Sequence, residues 1–281
     1  MVNFNGNLIS PGNNFLSHEN RGFKYGDALF ETVRISNGKL LFWEDHYFRL
    51  MSSMRILRIE IPMNFTMEFL EEQFLITLNA SEFNKTAIRG RLTVFRNNGG
   101  KYTPSTNECS YVIEFEELET PFYTIEDSKY EVELFKDFYV NADMLSNLKT
   151  TNKALHVVAS VFAKENTYDN CLLINSDKQI VEAINGNVFL VSGKTIKTPP
   201  LKDGCLDGIL RKKLIEIITK WGDFELEEVS ISPFELQKAD EIFITNAIMG
   251  IKPITKYRKK EFDNVVSKSL LGKLNALARL T

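Results

Sequence analysis

The sequence predicts a two-domain chain of mixed α/β (α+β) character. Three observations predict it. The chain has 281 residues, 43% hydrophobic and 25% charged, ordinary globular composition and long enough for one large or two medium domains. Strand and helix patterns mix along it without strict βαβ alternation. The stretch Leu118-Glu119-Thr120-Pro121 reads as a linker. The domains are therefore expected at residues 1–118 and 127–281, joined by residues 119–126.

The elements follow in order. Asn5-Gly6 between residues 2–4 and 8–9 is a hairpin signal, and Ser36-Asn37-Gly38 between residues 29–35 and 39–42 is a second. Residues 44–56 have helical periodicity, with Tyr47, Leu50, Met51 and Met54 on one face. A second helix is expected over 67–78, with Thr66 as N-cap. Strands at 87–96 and 110–116 flank the polar turn RNNGGKYTPSTN. After the linker come a strand at 131–139 and a helix over 152–164 with Leu155, Val158 and Phe162 on one face. Then follow a strand at 171–175, strands with turns over 180–197, a helix over 207–221, a strand at 241–246 and a closing helix.

Composition excludes several function classes. The net charge of −3 gives no basic field for nucleic acid. The one dense basic run, KYRKK at 256–260, reads as a solvated turn. Cys109, Cys171 and Cys205 lie far apart without a CxxC, which suggests neither a zinc site nor a disulfide framework and fits a reducing cytoplasm. His18, His46 and His156 are too scattered for a metal or triad reading and are taken as structural. No signal-peptide pattern opens the chain, and no apolar run approaches the roughly 18 residues of a membrane span. There is no GxGxxG or GxxxxGK[ST].

The candidate chemistry begins with Lys149, in a short polar loop before the helix over 152–164, where an amine can be aimed into a cleft. Two readings of Glu182 stand open: an exposed position on an alternating strand, or a buried carboxylate that needs a partner. Asp207 is read as the N-cap of the next helix with Gly208 opening it; that end either merely caps the helix or offers N–H groups and the positive end of its dipole to a phosphate. A second N–H cluster is possible at Thr245-Asn246-Ala247. Arg49 in HYFRL is either a surface arginine or the cation of that site. An amine, a carboxylate and a phosphate cradle are together what pyridoxal phosphate requires: a lysine for its aldehyde, an acid for its ring nitrogen, and N–H groups with an arginine for its phosphate.

These residues carry a family resemblance over nearly the whole chain. RGFKYGDALFETVRI resembles the RG-x-x-x-GD-x-x-FE motif of the fold-type IV pyridoxal-phosphate enzymes, the class IV aminotransferase family. EDHYFRL resembles its H-x-x-R-L, NLKTTN its K-x-x-N, VEAINGNVF its E-x-x-x-x-N-x-F and LDGILR its phosphate turn. The resemblance implies Lys149 as the cofactor lysine and Glu182 under the pyridine nitrogen. It makes Arg49 the phosphate arginine, with Asn187, Gly208, Ile209, Leu210, Asn246 and Ala247 as further cofactor contacts. It implies a D-amino-acid aminotransferase-like fold of two α/β domains with the cofactor in their cleft, a homodimer, and a small-molecule amino substrate.

Within the family, FRNNGGKYTP resembles the R-G-x-G-G-R-G-Y of 4-amino-4-deoxychorismate lyase, and TNAIMGIKPI resembles its N-A-L-M-x-x-x-P. Branched-chain aminotransferases usually have tyrosine where this chain has Lys153, and D-amino-acid enzymes have it where this chain has Phe30. Leu210 stands where aminotransferases often have threonine. Arg96 is followed by Asn97-Asn98 rather than glycine, and Lys101 stands where the lyase has arginine. The lyase substrate carries two carboxylates, so Arg91, Arg96 and Lys101 are substrate candidates, and Phe30 is a fourth substrate-site candidate. FRNNGG is equally read as a plain hairpin turn. The alternatives are an aminotransferase acting on branched-chain or D-amino acids and a catalytically silent relative.

Overall fold

Two Asn-Gly turns steer the first sheet. Asn5 and Gly6 lie at φ 50° and 85°, and Asn37 and Gly38 at 50° and 80°. This is the left-handed pair that a two-residue hairpin requires. The first turn joins β1 (Val2–Phe4) to β2 (Asn7–Ile9). A five-residue helix, α1 (Arg21–Tyr25), precedes the second hairpin, β3 (Ala28–Ser36) and β4 (Lys39–Leu40). Then come α2 (Trp43–Ile56), α3 (Met67–Asn79), β5 (Ala87–Arg96) and β6 (Cys109–Glu117). The six strands form one antiparallel sheet in the order β2-β1-β6-β5-β3-β4.

The computed structural model describes residues 1–280, and the chain divides into two units. The first is Met1–Phe122 with Lys149–Asn152; the second is Tyr123–Leu148 with Lys153–Leu280. In the first, α2 buries Leu50, Met51 and Met54, the face expected of it. Thr66 caps α3 by accepting the Phe69 N–H at 3.1 Å. Arg34 on β3 donates to the carbonyls of Thr120 and Phe122, so part of the stretch expected as linker is tied to this sheet.

The second unit contains β7 (Glu131–Leu134), α4 (Ala154–Glu165), β8 (Asn170–Ile174), β9 (Ile180–Ala183), β10 (Asn187–Ser192) and β11 (Thr195–Thr198). It continues through α5 (Ile209–Trp221), β12 (Glu225–Glu228), β13 (Glu241–Asn246), β14 (Gly250–Ile254), β15 (Lys256–Tyr257), β16 (Lys260–Glu261) and α6 (Val265–Ala278). Two five-stranded sheets result, β12-β11-β10-β13-β14 and β16-β15-β7-β8-β9. Their side chains meet in one apolar cluster that includes Leu172, Ile180, Val188 and Ile244.

Three expectations are corrected. The strand expected over 131–139 stops at Leu134, because the polar pair Lys136-Asp137 breaks it and Phe138 turns out to solvent. The buried face of α4 centres on Ala159 and Ala163, with Leu155 and Phe162 packed beside them, while Val158 is 42% exposed. Two alanines let the helix approach the sheet closely, and this shifts the buried stripe. KYRKK is a hairpin rather than a solvated turn: Tyr257 is buried, and Lys256 pairs with Glu131 at 3.1 Å. Among the described residues, no helix is long and apolar enough to cross a membrane.

Gly90 on β5 tests the packing of the first unit. A Cβ there would lie 2.8 Å from the Phe74 ring and 3.0 Å from that of Phe115. Gly90→Ala is expected to lower stability by about 1–3 kcal/mol through overpacking, read as a lower denaturant midpoint at unchanged slope. An unchanged midpoint would contradict this ring-on-backbone contact.

Candidate active site

The candidate residues fall into two groups, one in each unit. In the first unit, residues 149–152 lie alongside β3. The Phe30 N–H donates to the Lys149 carbonyl at 2.9 Å, and the Thr151 N–H donates to that of Ala28 at 3.0 Å. This extended pairing is why α4 begins at Ala154 rather than at 152. It sets Lys149 Nζ over the Phe30 ring, 4.4 Å from its centroid. The Arg91 guanidinium lies over the same ring at 4.0 Å. Arg91 also donates to the Thr93 hydroxyl at 3.2 Å and pairs with Glu114 at 3.7 Å. Burial moves its guanidinium below its ordinary value.

Behind this ring, Glu31 on β3 meets two residues from α2. Arg49 donates to it through Nε at 2.8 Å and Nη2 at 2.5 Å. His46 Nδ1 approaches it at 2.7 Å. The carboxylate only accepts, so the His46 contact places the proton on Nδ1. Burial pushes the Glu31 carboxyl up, but the Arg49 charge and the His46 hydrogen bond outweigh burial and hold it at about 2. Burial drives His46 below its ordinary value despite Glu31. The fork fixes the plane of the Arg49 guanidinium, a requirement for directional phosphate recognition. His46 and Arg49 stand at i and i+3 on one helix face, a signal the sequence carried; Glu31 lies inside the quoted FE motif.

Arg96 is corrected as a substrate residue, because its guanidinium is consumed within the fold. It donates to Asp27 at 3.0 Å, to Asn107 at 2.6 Å, and to the carbonyls of Leu57 and Arg58 at 2.7 and 2.9 Å. Arg21 donates to the same Asp27 oxygen at 2.8 Å and to the carbonyls of Gly99 and Lys101 at 3.0 and 2.6 Å. Arg21 and Asp27, the ends of the quoted RGFKYGD, thus brace the turn that follows β5. The Lys101 side chain is exposed on that turn.

In the second unit, Glu182 on the edge strand β9 is buried. The open choice made at this position resolves toward the buried carboxylate. One oxygen meets His156 Nε2 and the other accepts the Leu206 N–H, both at 2.9 Å. Sequence reasoning missed both partners, since neither shares a motif with Glu182. Asn187 on β10 donates to the Leu206 carbonyl at 2.8 Å. A Cβ on Gly208 would overlap the Asn187 amide oxygen, so this approach requires glycine.

Asp207 is corrected as the helix cap. Gly208 is the N-cap, α5 starts at Ile209, and the N-cap glycine has no side chain to cap it. The first-turn N–H groups, including those of Ile209 and Leu210, therefore have no intrahelical acceptor. After β13, the Asn246 amide oxygen accepts the N–H groups of Ile248 and Met249 at 3.0 and 2.8 Å. The Ala247 carbonyl accepts the Tyr123 hydroxyl at 3.0 Å. Burial pushes the Cys205 thiol up to about 12, which removes it as a nucleophile.

A lysine amine, a buried carboxylate and a helix N-terminus with a glycine at its mouth are the chemistry that pyridoxal phosphate needs from a protein. The amino-transferase class IV family model matches residues 28–257. A D-alanine aminotransferase from Bacillus licheniformis is 26% identical over 263 residues, covering 90% of this chain and 87% of that protein. The crystal structure of 4-amino-4-deoxychorismate lyase from Pseudomonas aeruginosa superposes with a TM-score of 0.83 at 22% identity, covering 98% of this chain and 98% of the other. That of a branched-chain aminotransferase from Thermoproteus uzoniensis, with norvaline, superposes with a TM-score of 0.86 at 24% identity, covering 97% of this chain and 92% of that one. The chain belongs to the class IV aminotransferases, a family of pyridoxal-phosphate-dependent aminotransferases and lyases with the fold-type IV architecture.

Proposed function

We propose that this chain is a 4-amino-4-deoxychorismate lyase, which forms 4-aminobenzoate and releases pyruvate, a step toward folate. The observation that carries this reading is the turn after β13. Aminotransferases of the family usually place threonine or serine there, whereas this turn is Asn246-Ala247-Ile248-Met249 and resembles the lyase. The hydroxyl of the preceding residue, Thr245, is buried and donates to the Gly250 carbonyl at 2.7 Å, and that of Tyr123 donates to the Ala247 carbonyl at 3.0 Å. The turn thus has no hydroxyl to offer a ligand.

In this reading Lys149 binds the cofactor and Glu182 serves its ring nitrogen. The first-turn N–H groups of Ile209 and Leu210, with Asn246, Ala247 and Arg49, serve its phosphate. Asn187 and Gly208 shape the approach to those N–H groups. When bound, pyridoxal phosphate withdraws electrons from the substrate carbon that bears the amino nitrogen. Lys149 Nζ takes the proton from that carbon. Phe30 presents Nζ with a ring face and no hydroxyl. Arg91, which contacts the same ring, is the candidate for a substrate carboxylate. Lys101 on the braced turn is the candidate for a second carboxylate.

The second reading is an aminotransferase acting on branched-chain or D-amino acids, and the D-alanine aminotransferase relative favours it. Binding residues and base are then the same, and Lys149 returns its proton to the cofactor. We read the assembly as a homodimer and its setting as cytoplasmic; the three unpaired cysteines support the setting.

Lys149→Ala is expected to lower turnover on the order of 10⁴-fold or more, measured as pyruvate release. Near-normal turnover in that variant would contradict Lys149 as the base. With aminodeoxychorismate, the wild-type protein should form pyruvate and 4-aminobenzoate in equal amounts, without exchanging amino groups between glutamate and keto acids. Rapid exchange with isoleucine or D-alanine would establish the second reading instead. A single monomeric species in sedimentation equilibrium would contradict the homodimer.

A further inference from the structure

His156 lies outside every motif that carries the family resemblance, yet it makes the one side-chain contact described for Glu182. Its position has a local cause. His156 is on the first turn of α4, on the same side as Ala159 and Ala163, which are 0% and 4% exposed. These alanines press the helix against Cys171, Leu173 and Val181 of the sheet. The close packing brings the His156 ring to the edge strand, where Nε2 meets the Glu182 carboxylate at 2.9 Å.

The tautomer follows from the partners. A carboxylate accepts only, so Nε2 carries the hydrogen. Nδ1 is buried and has no hydrogen-bond partner among the described residues, so it is the bare nitrogen. The Leu206 N–H holds the other carboxylate oxygen at 2.9 Å. Each oxygen thus has one protein donor, while a carboxylate has about four acceptor positions. The group is fixed at both ends and retains capacity for a further donor.

We infer that His156 is a positioning residue for Glu182: its Nε2–H holds the carboxylate in the orientation from which it serves the cofactor's ring nitrogen. The inference rests on the reading of Glu182 given above. His156 acts through Glu182 and does not itself touch the cofactor. The arrangement matches the way a histidine or carboxylate behind a metal ligand fixes that ligand's orientation.

The test is a titration of the apoprotein with pyridoxal 5'-phosphate, together with ¹⁵N NMR of the imidazoles in the wild-type apoprotein. His156→Leu removes the donor, and His156→Gln replaces it with an amide N–H of similar reach. The leucine variant should bind the cofactor roughly ten-fold more weakly, as expected for a lost hydrogen bond to a charged group. The glutamine variant should stay within about three-fold of wild type. The NMR spectrum needs no variant and should show His156 protonated at Nε2 and bare at Nδ1. Equal affinities in all three proteins, or equal losses in both variants, would overturn the inference while leaving the cofactor reading intact. So would the opposite tautomer. A wild-type protein that takes up no cofactor would overturn the reading of Glu182 and this inference with it.

Discussion

Two backbone hydrogen bonds, Phe30 N–H to the Lys149 carbonyl and Thr151 N–H to that of Ala28, are the constraint from which the chemistry in the first unit follows. A lysine side chain has four rotatable bonds and, on a loose loop, no defined target. Strand-like pairing removes the backbone freedom of residues 149–152. It leaves the amine over the aromatic ring of Phe30, a ring that Arg91 also contacts. The same pairing keeps residues 149–152 out of α4, which begins at Ala154.

Around this constraint, the fold meets the cost of buried charge in one consistent way. Each of four acids described here has at least two donors. Glu31 has Arg49 and His46; Asp27 has Arg21 and Arg96; Glu182 has His156 and the Leu206 N–H. Glu241 accepts the Val266 and Ser267 N–H groups at 2.6 and 3.0 Å and so caps α6. An unpaired carboxylate in such places costs several kcal/mol, so removing one donor leaves the acid exposed to that cost. The motifs of this chain thus hold two kinds of residue: those with groups suited to a ligand, such as Lys149, and those that keep a neighbouring charge satisfied, such as Asp27.

Periodicity and turn chemistry made most elements legible. The Asn-Gly hairpins, the Thr66 cap, and the strands at 87–96 and 241–246 each depend on neighbours within a few residues. What was not legible depends on distant neighbours. Arg96 looked like a substrate arginine because its flanking residues resemble a binding loop; its acceptors Asp27 and Leu57 lie 69 and 39 residues away. His156 looked merely structural because its partner lies 26 residues away on an edge strand. The 3.6-residue pattern of α4 pointed to Val158 because apolar residues crowd that helix, and periodicity does not reveal that two alanines are what the sheet admits. Asp207 is a good capping residue one position early, and the tight approach of Asn187 to Gly208 decides where α5 begins.

The central claim is that Lys149, held against β3, is the amine that meets the cofactor. The most direct test reduces the cofactor-loaded protein with borohydride and maps the modified peptide by mass spectrometry. The account predicts one phosphopyridoxyl group per chain, on Lys149 in the peptide containing SNLKTTNK. Modification of another lysine, Lys153 included, with Lys149 left unmodified, would contradict it.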